Sequence, residues 1–398
     1  MTNTIDIETK YCANNYNPLP VVFTKGQGVY VWDDQGKKYI DMMCAYSAVS
    51  HGHCHPRLVR VLTEQANKLA LISRAFYSDT LAPFLERICK LTGYDKGLPM
   101  NGGVEAVETA LKAARKWGYT VKGIAENKVE IIACAGNFHG RTIAIIGMST
   151  EEQYRRGFGP FPAGFKIVPY GDAKALEAAI TPQTAAFIVE PIQGEGGIIM
   201  PPAGYLKQCA EICKRHRVLF IADEIQTGLG RTGKLTACEH ESVKPDGLIL
   251  GKALGGGLLP VSIFLANREL MDVFSPGDHG STFGGNTLAA AVGLEALNVL
   301  MDEHLIENSA VLGAYMLEKL KQIQSPFVKD IRGKGLYIGI EVDTTKASAR
   351  DICLKLLDQG ILSKETHQTV MRFAPPLIIT KDQIDEAVNK INYVLTQK

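Results

Sequence analysis

The sequence predicts an α/β protein, with a large domain built on a mainly parallel sheet flanked by helices and a smaller α+β domain. Short, nearly continuous apolar runs lie in the middle of the chain, as expected for strands buried on both faces of a parallel sheet. These runs cover residues 129–134, 185–189, 218–222 and 248–250. Helical patterns fall between them, as in 104–117, where apolar residues recur at spacings of three and four. This alternation is typical of strands joined by crossover helices.

The two ends of the chain show other patterns. Residues 21–43 contain two strand-like runs separated by a DDQGK turn, which predicts a hairpin. Toward the C-terminus, amphipathic helices mix with short strands such as 335–342, which predicts an α+β unit. We therefore expect an N-terminal segment over residues 1–46, a large α/β domain over 47–285 and a small α+β domain over 286–398.

Length and charge narrow the class of protein. The chain has 398 residues, enough for a large core and a second domain. Its formal net charge of +1 argues against a nucleic-acid-binding protein, which would carry a basic excess. No apolar stretch is long enough to span a bilayer. The first ten residues, MTNTIDIETK, lack the apolar core of a signal peptide, so we expect a cytoplasmic protein.

Neither the cysteines nor a histidine cluster predicts disulfides or a metal site. Nine cysteines are scattered without a CxxC pair, which is typical of reduced thiols in a reducing compartment. His51, His53, Cys54 and His55 are too close in sequence to surround one tetrahedral ion easily. We expect a turn or an active-site loop there and no metal.

The segment GLGRTGK at 228–234 resembles the first part of a nucleotide-binding P-loop. The next residue is Leu235, so the hydroxyl that would bind Mg²⁺ is missing. The segment also follows DEIQT, where a P-loop would have a strand that leads straight into a helix. We therefore expect no ATP binding at this position.

Charged residues follow three of the predicted strands. Glu190, Asp223 and Lys252 stand at or just beyond the carboxyl ends of their apolar runs, where parallel sheets bind ligands. A lysine and an acid in one crevice suit pyridoxal 5'-phosphate (PLP), because the amine can bind the aldehyde and the carboxylate can keep the pyridine nitrogen protonated. A lysine after a strand is more often a solvated loop residue, but the sequence GKALGGG leaves room around Lys252 for a bulky cofactor.

A glycine pair offers a site for the phosphate. The sequence NGGVEA places Gly102 and Gly103 directly before a predicted helix. The amides of Gly102, Gly103 and Val104 are expected to face an anion at the positive end of that helix. A glycine-rich turn without a ligand explains the same pattern equally well.

The segment IADEIQTGLGRTGK followed by LILGKALGGG resembles the signature of the class III (subgroup II) PLP-dependent aminotransferases. The resemblance continues through most of the chain and is strongest to the members that act on ornithine. It includes NYNPLPVVFTKGQGVYVWD, SAVSHGHCHP, SRAFYSD, NGGVEAVETALKAARKWGY, GNFHGRT, VEPIQGEGG, GSTFGGN and RFAPPL. It implies the PLP-dependent transferase fold of type I and an enzyme with PLP as its cofactor.

The resemblance implies a role for each residue of a cofactor site. Lys252 would hold PLP covalently and act as the acid and base of the proton shift, and Asp223 would pair with the pyridine nitrogen. The other contacts would be those of Gln226 with the ring hydroxyl, Phe138 by stacking, and the Gly103 and Val104 amides with the phosphate. Ser281 and Thr282 would reach the phosphate of a neighbouring subunit, which implies a homodimer with shared active sites.

Five further positions would bind the substrates. Arg141 and Arg372 would bind carboxylates, for which a planar guanidinium is well suited. Tyr16 and Tyr46 would meet the α-amino and α-carboxylate end of ornithine. Glu195 would form an ion pair with Arg372 while ornithine reacts. It would release Arg372 when the second substrate, 2-oxoglutarate, arrives.

The implied activity is transfer of the δ-amino group of L-ornithine to 2-oxoglutarate, giving glutamate-5-semialdehyde and glutamate. Two positions depart from the ornithine-specific pattern: Gly102 stands where threonine is usual, and His139 is more similar to acetylornithine aminotransferases. Acetylornithine and 4-aminobutyrate therefore stay open as alternative substrates. An inactive PLP-fold binding protein is a further alternative, although Lys252 and Asp223 are both present.

Overall fold

The computed structural model describes residues 3–397. The helices are α1 (Thr4–Tyr11), α2 (Cys44–Ser47), α3 (Pro56–Lys68), α4 (Leu81–Thr92), α5 (Gly103–Thr120), α6 (Glu152–Arg155), α7 (Ala173–Ala179), α8 (Tyr205–Arg215), α9 (Arg268–Met271), α10 (Thr287–Asp302), α11 (Leu305–Lys321), α12 (Ala349–Asp358) and α13 (Lys381–Thr396). Short 3-10 helices occur at Ile145–Met148, Ala237–Glu241 and Lys252–Gly255.

The strands are β1 (Phe23–Gln27), β2 (Tyr30–Asp33), β3 (Lys38–Asp41), β4 (Lys96–Met100), β5 (Glu130–Cys134), β6 (Phe165–Val168), β7 (Thr184–Val189), β8 (Leu219–Asp223), β9 (Gly247–Leu250), β10 (Ser262–Ala266), β11 (Val328–Lys334), β12 (Tyr337–Val342), β13 (Ile361–Leu362), β14 (Lys364–Thr366) and β15 (Val370–Phe373). They form three sheets.

The central sheet has seven strands in the order β4-β10-β9-β8-β7-β5-β6. Strands β5 to β9 pair in parallel, and β10 is antiparallel to both of its neighbours. Every residue of β7 and β8 is buried, which explains why these strands read as uninterrupted apolar runs. The predicted α/β architecture with a mainly parallel sheet is confirmed.

The N-terminal sheet corrects one prediction. Residues 21–43 form three strands, not the two of a simple hairpin, because Gly28 at φ 60° turns the chain between β1 and β2. The DDQGK turn lies between β2 and β3 as expected. Strand β13 pairs in parallel with β3, so the N-terminal and C-terminal parts of the chain share this sheet.

The C-terminal sheet is antiparallel and has the order β11-β12-β15-β14. Helices α11 and α12 pack on it, α13 packs on these two helices and on β13, and α10 packs on α3 and α4. The domain boundaries at 46/47 and 285/286 stay a prediction. Between residues 3 and 397, no helix is both long enough and apolar enough to cross a lipid bilayer.

The histidine cluster is dispersed in the fold. The Nε2 atom of His51 lies 2.9 Å from the Ala296 carbonyl, and that of His53 lies 2.8 Å from Asp41 Oδ2. His55 instead contacts Glu303. The three rings therefore have separate partners, and they do not converge on a common centre.

Candidate active site

The carboxyl ends of β7, β8 and β9 meet at one edge of the central sheet. Asp223 is the last residue of β8, Glu190 follows β7, and Lys252 begins the 3-10 helix after β9. Because these strands are adjacent and parallel, their ends bring the three side chains to one cavity of about 220 Å³. Its other lining residues include Gly103, Val104, Phe138, His139 and Gln226.

Asp223 is held in place by a buried histidine. The Asp223 carboxylate is only 4% exposed, and its Oδ2 lies 2.7 Å from His139 Nδ1. Burial works to lower the pKa of His139, but the Asp223 carboxylate raises this pKa overall. The sequence indicates His139 only as a similarity to acetylornithine aminotransferases and predicts no contact with Asp223, although the place of His139 in GNFHGRT next to Phe138 is a usable signal.

Lys252 lies in the same cavity with a main-chain φ of 46°. Burial lowers the pKa of its ammonium, and the carboxylates of Glu195, Asp223 and Glu190 only partly oppose this effect. A lysine with a lowered pKa holds more of its amine in the neutral, nucleophilic form. The side chain can therefore attack an aldehyde and exchange protons.

The start of α5 offers two main-chain donors to an anion. The Glu105 carboxylate accepts hydrogen bonds of 2.8 Å from the amides of Asn101 and Gly102. The Gly102 amide is therefore not available to a phosphate, contrary to the expectation, because it already donates to Glu105. The amides of Gly103 and Val104 belong to the first turn of an 18-residue helix, where amides have no acceptor within the helix. Both residues line the cavity, and their amides suit a phosphate.

Glu190 connects two walls of the cavity. Its Oε1 accepts the Phe138 amide at 2.8 Å, and its Oε2 accepts the Gly194 amide at 3.2 Å. Burial raises the pKa of Glu190 to about 7. One carboxylate thus fixes both the residue predicted to stack on the cofactor and the turn that leads to Glu195.

The predicted ion pair between Glu195 and Arg372 is present. Arg372 Nη1 donates to Glu195 Oε1 at 2.6 Å, and the Arg372 guanidinium lies 4.7 Å from the centre of the Tyr46 ring. Burial alone would raise the pKa of Glu195, but Arg372 lowers it overall. Gln226 donates to the same Glu195 oxygen at 3.1 Å, and Tyr337 donates to Gln226 Oε1 at 2.9 Å. Gln226 therefore links this cluster to the cavity.

Besides Tyr46, Glu195 and Arg372, which form the neighbouring cluster, four predicted site residues lie outside this cavity. Arg141 is exposed and stacks on Tyr154, with its guanidinium 4.3 Å from the ring centre. Tyr16 is 72% exposed. Ser281 accepts a hydrogen bond of 3.0 Å from Asn101 of its own chain, and Thr282 is exposed. The roles assigned to these four residues stay predictions.

Tyr46 stands in a strained segment. Cys44, Ala45, Tyr46 and Ser47 all have left-handed φ values, between 44° and 75°. A left-handed helical conformation costs about 1–2 kcal/mol per residue for side chains other than glycine. The Asp41 carboxylate supports the start of this turn by accepting the Cys44 amide at 2.8 Å.

The sequence and the fold are both similar to those of known aminotransferases. The sequence model of the family "Aminotransferase class-III" matches residues 11–395. An ornithine aminotransferase of Geobacillus sp. (strain WCH70) is 57% identical, over 99% of this chain and 98% of its own. Among solved structures, the ornithine aminotransferase of Toxoplasma gondii with partial occupancy of PLP at its active site has a TM-score of 0.97 at 46% identity, covering 98% of this chain and 93% of its own. The acetylornithine aminotransferase of Elizabethkingia anophelis has a TM-score of 0.89 at 49% identity, with coverages of 98% and 97%.

The fold and the cavity define a PLP-dependent transferase of fold type I. The chain belongs to the class-III aminotransferase family. The residues of the cavity fit the cofactor of this family. A lysine with a lowered pKa, a buried carboxylate and two residues of a helix N-terminus line one cavity, and they are the kinds of group that would suit the aldehyde, the pyridine nitrogen and the phosphate of PLP.

Replacing Glu190 by glutamine is expected to weaken PLP binding. A glutamine side chain has one acceptor oxygen, so its NH₂ group would oppose either the Phe138 or the Gly194 amide. An unsatisfied buried donor costs about 1–3 kcal/mol, which corresponds to a Kd for PLP raised roughly 5- to 150-fold. Fluorescence titration of the apoprotein with PLP measures this Kd.

Glu241 provides the matched control for this substitution. Its two oxygens likewise accept two main-chain amides, those of Gly204 and Lys207, each at 3.0 Å. The E241Q variant should lose stability but bind PLP as the unaltered protein does. Equal PLP affinities for E190Q and the unaltered protein would contradict the positioning role of Glu190.

Proposed function

We propose that this enzyme transfers the δ-amino group of L-ornithine to 2-oxoglutarate, giving glutamate-5-semialdehyde and glutamate. The observation that carries the proposal is the Glu195–Arg372 ion pair stacked on Tyr46 beside the cavity. An exposed arginine there would bind the α-carboxylate of ornithine and bring the α-amino group to the cofactor. Pairing with Glu195 masks the arginine and leaves the δ-amino group as the one presented.

The chain's own residues supply positioning and proton transfer. PLP, when bound, supplies the electron sink that stabilises negative charge at the substrate carbon. The Lys252 amine would take up and return the proton at that carbon. Asp223 would hold a proton on the pyridine nitrogen, and His139 keeps the Asp223 carboxylate in position. Phe138 would stack on the ring, and the amides of Gly103 and Val104 would bind the phosphate.

Two arginines divide the recognition of carboxylates. Arg372 is 6% exposed and is released for the 2-oxoglutarate carboxylate when Glu195 moves away. Arg141 stacks on Tyr154, and no carboxylate of residues 3–397 forms an ion pair with it, so its guanidinium is ready to bind a substrate carboxylate. Tyr46 and Tyr16 contact the α-amino and α-carboxylate end of ornithine.

A half-reaction tests this proposal directly. The PLP-loaded enzyme is mixed with L-ornithine in the absence of an oxo acid, and the loss of the bound-PLP absorbance is followed. We expect glutamate-5-semialdehyde as the main product, with its cyclised form separated by chromatography from the isomeric cyclised product of α-transamination. The proposal would be contradicted if ornithine causes no spectral change. It would also be contradicted if the product has lost its α-amino group and kept its δ-amino group.

Replacing Glu195 by alanine is expected to shift the reaction toward the α-amino group. Without its partner, Arg372 becomes free to bind the α-carboxylate of ornithine. A hydrogen bond between charged groups is worth about 1.5–3 kcal/mol, so the ratio of α- to δ-transamination should rise roughly 10- to 150-fold. Chromatographic separation of the two oxo products measures this ratio.

The Glu295→Ala variant controls for the loss of an ion pair. Glu295 on α10 pairs with Arg57 at 2.7 Å, away from the cavity. This variant should keep the product ratio of the unaltered enzyme. An unchanged ratio in E195A would show that Glu195 does not mask Arg372.

N-acetylornithine is the second candidate substrate. The acetylornithine aminotransferase of Elizabethkingia anophelis is 49% identical to this chain, and His139 follows the pattern of such enzymes. An acetylated α-amino group needs fewer polar partners than a free one. A comparison of kcat/KM for ornithine and N-acetylornithine separates the two candidates, and a higher value for ornithine is the expected result.

The assembly and the location complete the proposal. Thr282 is exposed, and the neighbouring Phe283 is 54% exposed, as suits a surface that meets a second copy of the chain. A homodimer would bring Ser281 and Thr282 to the phosphate bound by the partner subunit. Light scattering of the purified protein tests this assembly.

The free thiols of Cys12 and Cys54 are exposed, as suits the reducing cytoplasm. The activity belongs to arginine and proline metabolism.

A further inference from the structure

Arg231 is a fully buried arginine among neutral partners. Its side chain is 0% exposed, and the acceptors found around it in residues 3–397 are two carbonyls, a hydroxyl and a thiol. Burial lowers the pKa of the guanidinium. A buried charge without an ion-pair partner destabilises the fold. The contacts of Arg231 indicate a function that would explain its presence.

One side of the guanidinium holds the strained turn that carries Tyr46. Arg231 Nη2 donates to Ser50 Oγ at 2.8 Å and lies 3.7 Å from Cys44 Sγ. Ser50 Oγ in turn donates to the Ser47 carbonyl at 2.9 Å. Nη2 therefore contacts the start of the left-handed segment in which Tyr46 lies and reaches its end at Ser47 through Ser50.

The other side of the guanidinium holds the chain that carries Arg372. Arg231 Nη1 donates to the carbonyls of Pro375 at 2.6 Å and Leu336 at 3.0 Å. Pro375 is three residues beyond Arg372, and Leu336 directly precedes β12, which pairs with the Arg372 strand β15. The planar guanidinium of Arg231 thus bridges the segment that carries Tyr46 and the segment that carries Arg372. The side chains of these two residues stack on each other.

Main-chain hydrogen bonds join the same two segments outside the strained turn. The Ala374 amide donates to the Met42 carbonyl, and the Leu377 amide donates to the Ser50 carbonyl, each at 2.7 Å. These bonds fix where the turn begins and where the chain leaves it. Among the side-chain hydrogen bonds of residues 3–397, those of Arg231 reach both segments between these points.

We propose that Arg231 is a positioning residue that keeps the Tyr46 ring stacked on the Arg372 guanidinium and thereby sets the specificity for carboxylates. The inference rests on the proposed function, because it assigns Arg372 to the carboxylate of the dicarboxylate substrate. When the bridge is loosened, Arg372 loses its fixed plane. It then binds the dicarboxylate less tightly and pairs less well with Glu195, so more ornithine reacts through its α-amino group.

Two variants of different severity test the inference. R231K keeps the positive charge but loses the planar fork that reaches both segments. S50A removes one acceptor on the side of the turn and leaves the arginine in place. The ratio of α- to δ-transamination is the first readout, because it does not depend on the fraction of enzyme that is folded. The second is the Kd of glutarate, an unreactive dicarboxylate, measured by calorimetry on the PLP-loaded enzyme.

We expect both the product ratio and the glutarate Kd to rise about tenfold in R231K and about threefold in S50A, as for the loss of one or two hydrogen bonds. S325A is the control, since the Ser325 hydroxyl donates to the Leu395 carbonyl away from the turn. It should leave both readouts unchanged.

The outcomes separate this inference from the proposed function. Unchanged product ratios and glutarate affinities in folded R231K and in S50A would overturn it, whatever happens to their melting temperatures. If R231K does not fold, S50A decides. If the unaltered enzyme does not convert ornithine, the proposed function fails, and the glutarate Kd still tests Arg231. Glutarate that does not bind the unaltered enzyme would overturn the inference as well.

Discussion

Replacing Lys252 by alanine is expected to lower kcat with ornithine by at least ~10²- to 10⁴-fold, the usual contribution of a positioned acid or base. The variant loses the amine that we propose attaches the cofactor and moves the proton at the substrate carbon. The proposed contacts of Phe138 and of the α5 amides would remain, so PLP should still bind without a covalent link. Steady-state kinetics give kcat, and peptide mass spectrometry after borohydride reduction shows whether the cofactor is attached at position 252.

Lys122 offers a control for this substitution. It is also a partly buried lysine whose pKa is lowered by burial, but it donates to the Thr184 carbonyl at the amino end of β7. The K122A variant should lose stability and keep its kcat per folded molecule. If K252A retains more than about a tenth of the original kcat, Lys252 is not the acid and base of the reaction.

The position of the active site could be predicted from the sequence because strand direction and burial are local properties. The runs 185–189, 218–222 and 248–250 correspond to β7, β8 and β9 to within one residue at each end. Parallel strands bring the residues at their carboxyl ends together whatever the rest of the chain does. Glu190, Asp223 and Lys252 could therefore be placed in one crevice without a structure.

Contacts across the fold could not be predicted in this way. Asp223 meets His139 over 84 residues of chain, and Arg231 meets Ser50 over 181. These contacts depend on how the three sheets pack, which no local periodicity encodes. The left-handed turn at Tyr46 could not be predicted for a related reason. It contains no glycine, the residue that usually indicates a positive φ, and it is held in place by distant partners such as Arg231.

Replacing Asp223 by asparagine is expected to be the second most damaging change. The carboxylate is buried, and in the proposed mechanism its negative charge would keep a proton on the pyridine nitrogen of PLP, where the electron sink needs it. Asparagine has almost the same shape but no charge. Removing one partner of a buried charge pair costs about 3–5 kcal/mol, so kcat should fall roughly 10²- to 10⁴-fold while PLP stays attached to Lys252.

Asp246 makes this prediction specific to the site. It is a partly buried carboxylate whose pKa is raised by burial, and it accepts the Phe220 amide at 2.8 Å at the amino end of β9. D246N removes the same charge by the same change of one atom, at the opposite end of the strand that leads to Lys252. If D223N and D246N lower kcat equally, the loss reflects damage to the sheet. A large loss in D223N alone, with the bound-PLP absorbance shifted, assigns the effect to the charge beside the pyridine nitrogen.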